Sequence, residues 1–203
     1  MATHTTWLTH ALTVAMRESR FAAPAEPLDP AGLRHARAAR RLADPSDPLP
    51  PGPAPPGAAW CSPAACARET AAALGLDAAP EAALRDADPG AWAGRGAAEI
   101  AAADPAALAA WLRDPDAAPP GGESAHAVLA RVGAWMDGLG EGRFVVVTHA
   151  AVVRAAIVHA LGAAPGCGLR IDLAPLSRTV LSRNGPWRMQ SAGARSPPAS
   201  EGG

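Results

Sequence analysis

A short apolar segment, residues 143–147, is rich in valine and is followed closely by a histidine and a helix-forming stretch. The same arrangement lies at the N-terminus, where residues 5–9 precede a second histidine and a second helical pattern. The pattern predicts two short strands, with His10 and His149 at their carboxyl ends and a helix after each. In an open α/β sheet this edge binds ligands, and the helix N-termini there attract anions. We therefore expect the two imidazoles to converge on one anion pocket.

The composition of the chain favours a single domain and gives no indication of a nucleic-acid or membrane partner. The chain has 203 residues, of which 49% are hydrophobic, and this fits one α/β domain. Its formal net charge of −1 gives no reason to expect nucleic acid or an anionic membrane as a partner. No apolar run reaches the ~18 residues that a membrane span needs, and residues 1–6 lack the features of a signal peptide. We expect a cytoplasmic protein that acts on a small anionic substrate.

Strand and helix signals alternate along the rest of the chain. Strands are predicted at residues 5–9, 58–61 and 145–147, with a final hairpin over 178–190 that turns at Asn184-Gly185. Helices are predicted at residues 12–20, 31–42, 62–74, 105–112, 124–136 and 152–161. The alternation predicts a three-layer α/β/α domain over residues 1–190 with a mostly parallel sheet. Residues 44–57 are too rich in proline for either element and are predicted to form a loop, and 191–203 a disordered tail.

Several short motifs also occur in a fixed order. They are Cys61-Ser62-Pro63, Ala67-Arg68-Glu69-Thr70-Ala71, Leu84-Arg85-Asp86, Gly90-Ala91-Trp92-Ala93-Gly94, Gly121-Gly122-Glu123-Ser124 and Thr148-His149. In this order and spacing they resemble the motifs of the histidine phosphatase superfamily, the phosphoglycerate-mutase-like proteins. The resemblance extends over nearly the whole chain and implies a phosphoglycerate-mutase-like fold.

The resemblance also implies roles for individual residues. The family's first histidine, which matches His10, attacks a phosphoryl group and forms a phosphohistidine, so that one hard displacement becomes two easier ones. The second histidine, which matches His149, hydrogen-bonds the phosphoryl oxygens. The acidic residue that matches Asp86 protonates the leaving oxygen and later activates water. These roles imply a small phosphorylated metabolite as substrate, and no metal or other cofactor.

The match fails at the two arginines with which the family clamps the phosphate. Thr9 and Cys66 stand at those positions, and Ala150 replaces the glycine after the second histidine, so the resemblance makes these three residues candidate substrate contacts. A charge-assisted hydrogen bond is worth about 1.5–3 kcal/mol. Two lost arginines therefore remove roughly 3–6 kcal/mol, or about 10²–10⁴ in rate. Arg17 and Arg20, on the helix predicted after strand 1, are the candidates for a replacement clamp.

Three functions are compatible with these residues. The first is a divergent phosphatase that works through phosphorylation of His10. The second is a different enzyme on the same scaffold that uses His10 and His149 on a carboxylate or another less charged substrate. The third is a non-catalytic binding or regulatory relative.

Glu123 and Cys66 have secondary roles in the phosphatase hypothesis. Glu123 belongs to a loop that the family places near the substrate mouth, so it is a candidate substrate contact. Cys66 is predicted to be a small apolar filler where a cation was lost. The three cysteines of the chain have no metal-binding spacing, so the sequence predicts no metal site.

Overall fold

Strands and helices alternate in the computed structural model, which describes residues 2–41 and 58–195. The strands are β1 (Thr3–Thr9), β2 (Ala59–Cys61), β3 (Ala79–Pro80), β4 (Gly142–Thr148), β5 (Ser177–Arg183) and β6 (Trp187–Arg195). The helices are α1 (Val14–Arg17), α2 (Pro30–Arg41), α3 (Ala65–Leu74), α4 (Ala97–Ala103), α5 (Pro105–Arg113), α6 (Ala125–Asp137) and α7 (Ala150–Leu161). None of these helices is long and apolar enough to cross a membrane.

The strands of the described residues form one mixed sheet in the order β3-β2-β4-β1-β5-β6. Strands β3, β2, β4 and β1 pair in parallel, whereas β5 runs antiparallel to β1 and β6. Thr9 lies opposite Thr148 in the register of β1 and β4. The next residues, His10 and His149, therefore leave the same edge of the sheet side by side. The predicted fold class is confirmed.

Helices cover both faces of the sheet because the central strands are apolar on both sides. Val146 and Trp7 belong to a core cluster that α6 and α7 complete. Val145 and Val147 belong to a second cluster with apolar residues of α3. The alternation along β4 thus builds the three layers, and it leaves the strand ends as the place where polar side chains can gather.

Two predicted turns are confirmed. Helix α3 ends at Gly75, whose φ of 77° is the left-handed conformation that a glycine C-cap adopts readily. The hairpin of β5 and β6 turns at Asn184-Gly185, where Gly185 has a φ of 87°.

The first predicted helix is wrong in length. Residues 12–20 were expected to be helical, but α1 covers only Val14–Arg17. Thr13 caps it by accepting a hydrogen bond from the Met16 N–H. Ser19 then adopts a φ of 51°, which takes the chain out of the helix. The segment that follows therefore does not continue along the helix axis.

Other boundaries also differ from prediction. Helix α3 begins at Ala65 with Ala64 as its N-cap, so Ser62 does not cap it. Strand β6 reaches Arg195, because residues 191–195, predicted to belong to the tail, continue the ladder with β5. The predicted proline-rich loop, 44–57, and residues 196–203 lie outside the described residues. The short elements β3 and α4 were not predicted.

Candidate active site

Two imidazoles face each other beyond the ends of β1 and β4. The ring centroids of His10 and His149 are 4.9 Å apart, and the ring planes are inclined at 67°. The backbone N–H of His10 donates to the Thr148 carbonyl at 2.8 Å, and this bond continues the parallel pairing up to the site. His149 is the N-cap residue of α7. The predicted convergence of the two histidines is therefore confirmed, and one tetrahedral anion could contact both rings.

His10 presents a free, neutral nitrogen. Its Nδ1 lies 2.7 Å from the Ala11 carbonyl oxygen, and because a carbonyl only accepts, Nδ1 carries the proton and Nε2 keeps its lone pair. Desolvation, together with the nearby imidazole of His149, lowers the pKa of His10 to about 4. At neutral pH this is the form of histidine that a nucleophile requires.

Both nitrogens of the second imidazole have protein partners. His149 Nε2 lies 2.8 Å from Ser62 Oγ, and Nδ1 lies 3.3 Å from Asp86 Oδ2. The ring is buried, with 4% of the residue exposed, so these contacts set its orientation. The sequence predicted Ser62 only as the first residue of a helix. Its place directly after a strand, in the motif Cys61-Ser62-Pro63, is the sequence signal that could have identified it.

Asp86 is an ionised carboxylate beside the imidazole pair, although 48% of its side chain is exposed. Desolvation opposes its ionisation, but His149, and more weakly His10, outweigh that effect and lower the pKa of Asp86 to about 2. At neutral pH Asp86 can therefore accept a proton and orient His149. The leaving-group role that the resemblance implied for Asp86 stays a prediction.

Cys66 completes the group from the first turn of α3. Its Sγ and one ring nitrogen from each of His10 and His149 all lie within 4.8 Å of one another. Burial, and then the charge of Asp86, raises the pKa of the Cys66 thiol to about 12. The thiol is therefore protonated at neutral pH and is a poor nucleophile.

A salt-bridged arginine holds the segment that carries Asp86. Arg131 donates to the Asp86 backbone carbonyl at 3.0 Å and pairs with Glu123 at 3.0 Å. The Glu123 carboxylate also pairs with Arg85 at 2.6 Å and accepts from the Asp88 N–H at 3.1 Å. Glu123, predicted to contact substrate, is thus engaged in holding this loop.

The predicted replacement clamp is not formed. Arg17 Nε lies 2.5 Å from Asp29 Oδ2. Arg20 Nε lies 2.6 Å from Glu18 Oε2, and its second terminal nitrogen lies 3.9 Å from Glu26 Oε1. Because α1 ends early, each guanidinium meets a carboxylate within residues 17–29 instead of continuing along a helix from the histidine.

Thr9 and Ala150, the other candidate substrate contacts, differ in the polar groups that they can present to a substrate. Thr9 is 3% exposed. Its hydroxyl donates to the Ala174 carbonyl at 2.7 Å and accepts from the Ser177 N–H at 2.9 Å. Thr9 therefore ties β1 to the segment before β5 and does not reach towards a substrate. Ala150 is the first residue of α7, so it can offer only a backbone N–H at the positive end of the helix dipole.

Part of the chain is similar to a curated mycobacterial protein. A segment of 113 residues is 39% identical to a bifunctional protein from Mycobacterium tuberculosis strain H37Rv. The match covers 53% of this chain and 31% of that protein. The chain thus spans about a third of the length of this relative.

Solved structures of similar shape cover nearly the whole chain. A mycobacterial glucosyl-3-phosphoglycerate phosphatase, solved in complex with VO3, has a TM-score of 0.81 and 26% sequence identity. That similarity covers 94% of this chain and 99% of the other. The protein TTHB049 from Thermus thermophilus has a TM-score of 0.70 and 29% identity, with 94% and 99% of the two chains covered.

The sequence profile of one family covers the site and both of its histidines. The profile of the histidine phosphatase superfamily, branch 1, matches residues 8–192. This range contains both histidines, the helix after each of them and the loop that carries Asp86 between them. The chain belongs to the histidine phosphatase superfamily.

Proposed function

We propose that this chain is a phosphomonoesterase that hydrolyses a small phosphorylated metabolite through phosphorylation of His10. The observation that carries the proposal is the His10 imidazole, whose Nδ1 bonds the Ala11 carbonyl so that Nε2 keeps its lone pair, with its ring centroid 4.9 Å from that of His149. The family supports it, and so does the similar mycobacterial phosphatase, which has been solved with VO3 and with inorganic phosphate.

Two displacements make up the proposed reaction. In the first, His10 Nε2 attacks phosphorus, an N–P bond forms, and the ester P–O bond breaks. When substrate binds, His149 exchanges one of its two protein partners, Ser62 or Asp86, for a phosphoryl oxygen and donates a hydrogen bond to it. The N-terminal end of α7 adds positive potential. In the second, water attacks the phosphohistidine, the N–P bond breaks, and phosphate leaves. Asp86, as a carboxylate, accepts the proton of that water.

The substrate itself supplies the leaving-group proton. The lowered pKa of Asp86 keeps it ionised at neutral pH, and the phosphate monoester can supply the proton of the first step itself. A phosphate monoester loses its second proton near pH ~6, and its monoanion still carries one. The predicted clamp of Arg17 and Arg20 is not formed, so the site has less to offer a dianion. We therefore propose that the reactive substrate is the monoanion.

This assignment predicts an acidic optimum for kcat/KM. Above about pH 6 the monoanion fraction falls about tenfold per pH unit. The lowered pKa of His10, about 4, keeps its lone pair available down to that pH, whereas an ordinary imidazole is half protonated near pH ~6.5. We expect kcat/KM to rise from pH 8 to pH 6 and to fall only as the pH drops through about 4. A full pH profile checks this, with circular dichroism at each pH as the folding control. An acid limb near pH 6.5 would contradict the assignment.

Trapping of the intermediate tests the proposal directly. Brief incubation of the protein with a labile, radiolabelled phosphoester should leave a label that is labile in acid and stable in base. Peptide mapping should place this label on His10. His126→Asn is the matched control, because His126 is an exposed histidine on α6 that pairs with Asp116, and this variant should keep the label. Ester hydrolysis by the wild-type chain without any label on His10 would contradict the proposal.

A second candidate is an enzyme on the same scaffold that acts on a carboxylate or another less charged substrate. The observation that favours it is the engagement of Arg17 and Arg20 with carboxylates of their own segment. This candidate expects no label and no hydrolysis over a broad phosphoester panel between pH 4 and 8. A non-catalytic relative would share that result, but it would bind its ligand without converting it.

A further inference from the structure

We propose that His10, Cys66 and His149 form a binding site for a thiophilic divalent cation, with zinc as the type ion. One ring nitrogen from each histidine and the Cys66 Sγ lie within 4.8 Å of one another. Cys66 and His149 are buried, and His10 is partly buried. The three donors thus share one enclosed space and are not scattered over a surface.

The chemistry of the donors selects the ion. Zinc binds histidine nitrogen at about 2.0–2.1 Å and cysteine sulfur at about 2.3 Å, so neighbouring donors around a tetrahedral ion lie roughly 3.5 Å apart. The donors within 4.8 Å of one another would need to close by about 1 Å, which small side-chain rotations can provide. A sulfur donor favours zinc and its softer neighbours over magnesium or calcium.

Partners around the donors also match a metal centre. Metal-binding histidines usually engage their second nitrogen with a carbonyl, a carboxylate or another polar group. His10 Nδ1 already bonds the Ala11 carbonyl, and His149 Nε2 bonds Ser62 Oγ. Asp86 lies outside this group of three, and an ion bound to His149 Nδ1 would replace the present 3.3 Å contact of that nitrogen with Asp86 Oδ2. Two imidazoles and a thiol therefore form the donor set of the proposed ion.

Occupancy of this site has a consequence that rests on the proposed function. The ion would take the His10 Nε2 lone pair that the phosphoryl transfer needs. Binding would also release the thiol proton of Cys66 to solvent as the metal–sulfur bond forms. The metal-bound state and the phosphoryl-accepting state therefore exclude each other, and zinc should inhibit hydrolysis.

Metal binding can be measured without any substrate. The full chain, treated with a chelator and dialysed against Zn²⁺, should bind one ion per chain at this site. Co²⁺ in its place should give a thiolate-to-metal charge-transfer band in the near ultraviolet. Loss of an outer-shell partner alone typically weakens metal affinity 10–100-fold. Cys66→Ser should therefore weaken Zn²⁺ binding by more than about 100-fold and abolish the Co²⁺ band.

Two other cysteines provide matched controls. Cys167 is exposed and Cys61 is buried, and neither belongs to the donor group. Cys167→Ser and Cys61→Ala should keep both the affinity and the band. His10→Asn, which preserves the size of the side chain, should lose the binding as Cys66→Ser does, and circular dichroism checks that each variant is folded. Absence of stoichiometric binding, or binding that survives in both Cys66→Ser and His10→Asn, would overturn the metal site.

Turnover assays separate this inference from the proposed function. We expect Zn²⁺ to inhibit phosphoester hydrolysis by the wild-type chain at concentrations that do not change the rate of Cys66→Ser relative to the rate of that variant in chelator. Hydrolysis that continues at saturating Zn²⁺ would overturn the mutual exclusion. A chain that binds Zn²⁺ through Cys66 but hydrolyses no phosphoester in chelator would refute the proposed function and leave the metal site intact.

Discussion

His10→Ala is expected to lower kcat for phosphoester hydrolysis by at least about 10⁴-fold, because removal of an enzyme's nucleophile has effects of this size or larger. No neighbouring group in the described site can take over. The Cys66 thiol is protonated, with a pKa raised to about 12, and both nitrogens of His149 are engaged by Ser62 and Asp86. The variant should also lose the phosphoryl label.

Added imidazole distinguishes loss of the nucleophile from misfolding in the His10→Ala variant. The alanine variant leaves a space where the ring of His10 stood, so free imidazole should restore part of the activity. A loss caused by misfolding would not respond in this way. His126→Ala, a change of the same kind at an exposed helix position, should retain wild-type turnover. A His10→Ala variant with more than about a tenth of wild-type kcat would show that the nucleophile lies elsewhere.

Cys66→Arg is expected to raise kcat/KM for phosphoesters by about 10–100-fold. The change places a guanidinium at the position of a family clamp, next to both imidazoles and near Asp86, which can serve as its counter-ion. One charged hydrogen bond is worth about 1.5–3 kcal/mol, and this corresponds to the stated range. Cys66→Ala is the matched control, because it removes the thiol without adding a cation. Equal kinetics for the two variants would rule out a missing clamp as the limit on activity.

Arginine at the other clamp position should act differently. Thr9 is buried, and its hydroxyl bonds both Ala174 and Ser177. Thr9→Arg would break both bonds and bury an unpaired charge, at a cost of about 3 kcal/mol or more in the free energy of unfolding. Thermal unfolding should show a clear loss for Thr9→Arg. A restored phosphate clamp is therefore tested by Cys66→Arg alone, without a change at Thr9.

Local patterns were sufficient to predict the parts of the site that depend on one segment at a time. Each strand–histidine–helix unit is encoded by a short apolar run and the helical pattern after it. Both strands and the helix after His149 form where expected, whereas the helix after His10 is shorter than predicted. The stop of α3 at Gly75 is equally local. Parallel pairing then brings His10 and His149 together, because the carboxyl ends of parallel strands share one edge.

Charge partners could not be predicted in the same way. Arg17 and Arg20 were placed by helix periodicity, but Ser19 ends the turn, and the guanidiniums pair with the carboxylates of Asp29 and Glu18. An arginine pairs with whichever carboxylate the fold brings near, and the spacing of residues in the sequence does not specify that choice. For the same reason Glu123, predicted to contact substrate, pairs instead with Arg85 and Arg131.

The sequence by itself determined the layers of the fold, the place of the two histidines and the family, because periodicity, capping and short motifs are read within one segment. Only the tertiary structure decided that Cys66 meets both imidazoles, that Ser62 and Asp86 hold His149 from two sides, and that Thr9 is a buried tie. These contacts join residues far apart in the chain. Burial and neighbouring charge, which set the pKa values of His10, Asp86 and Cys66, arise only when those segments pack together.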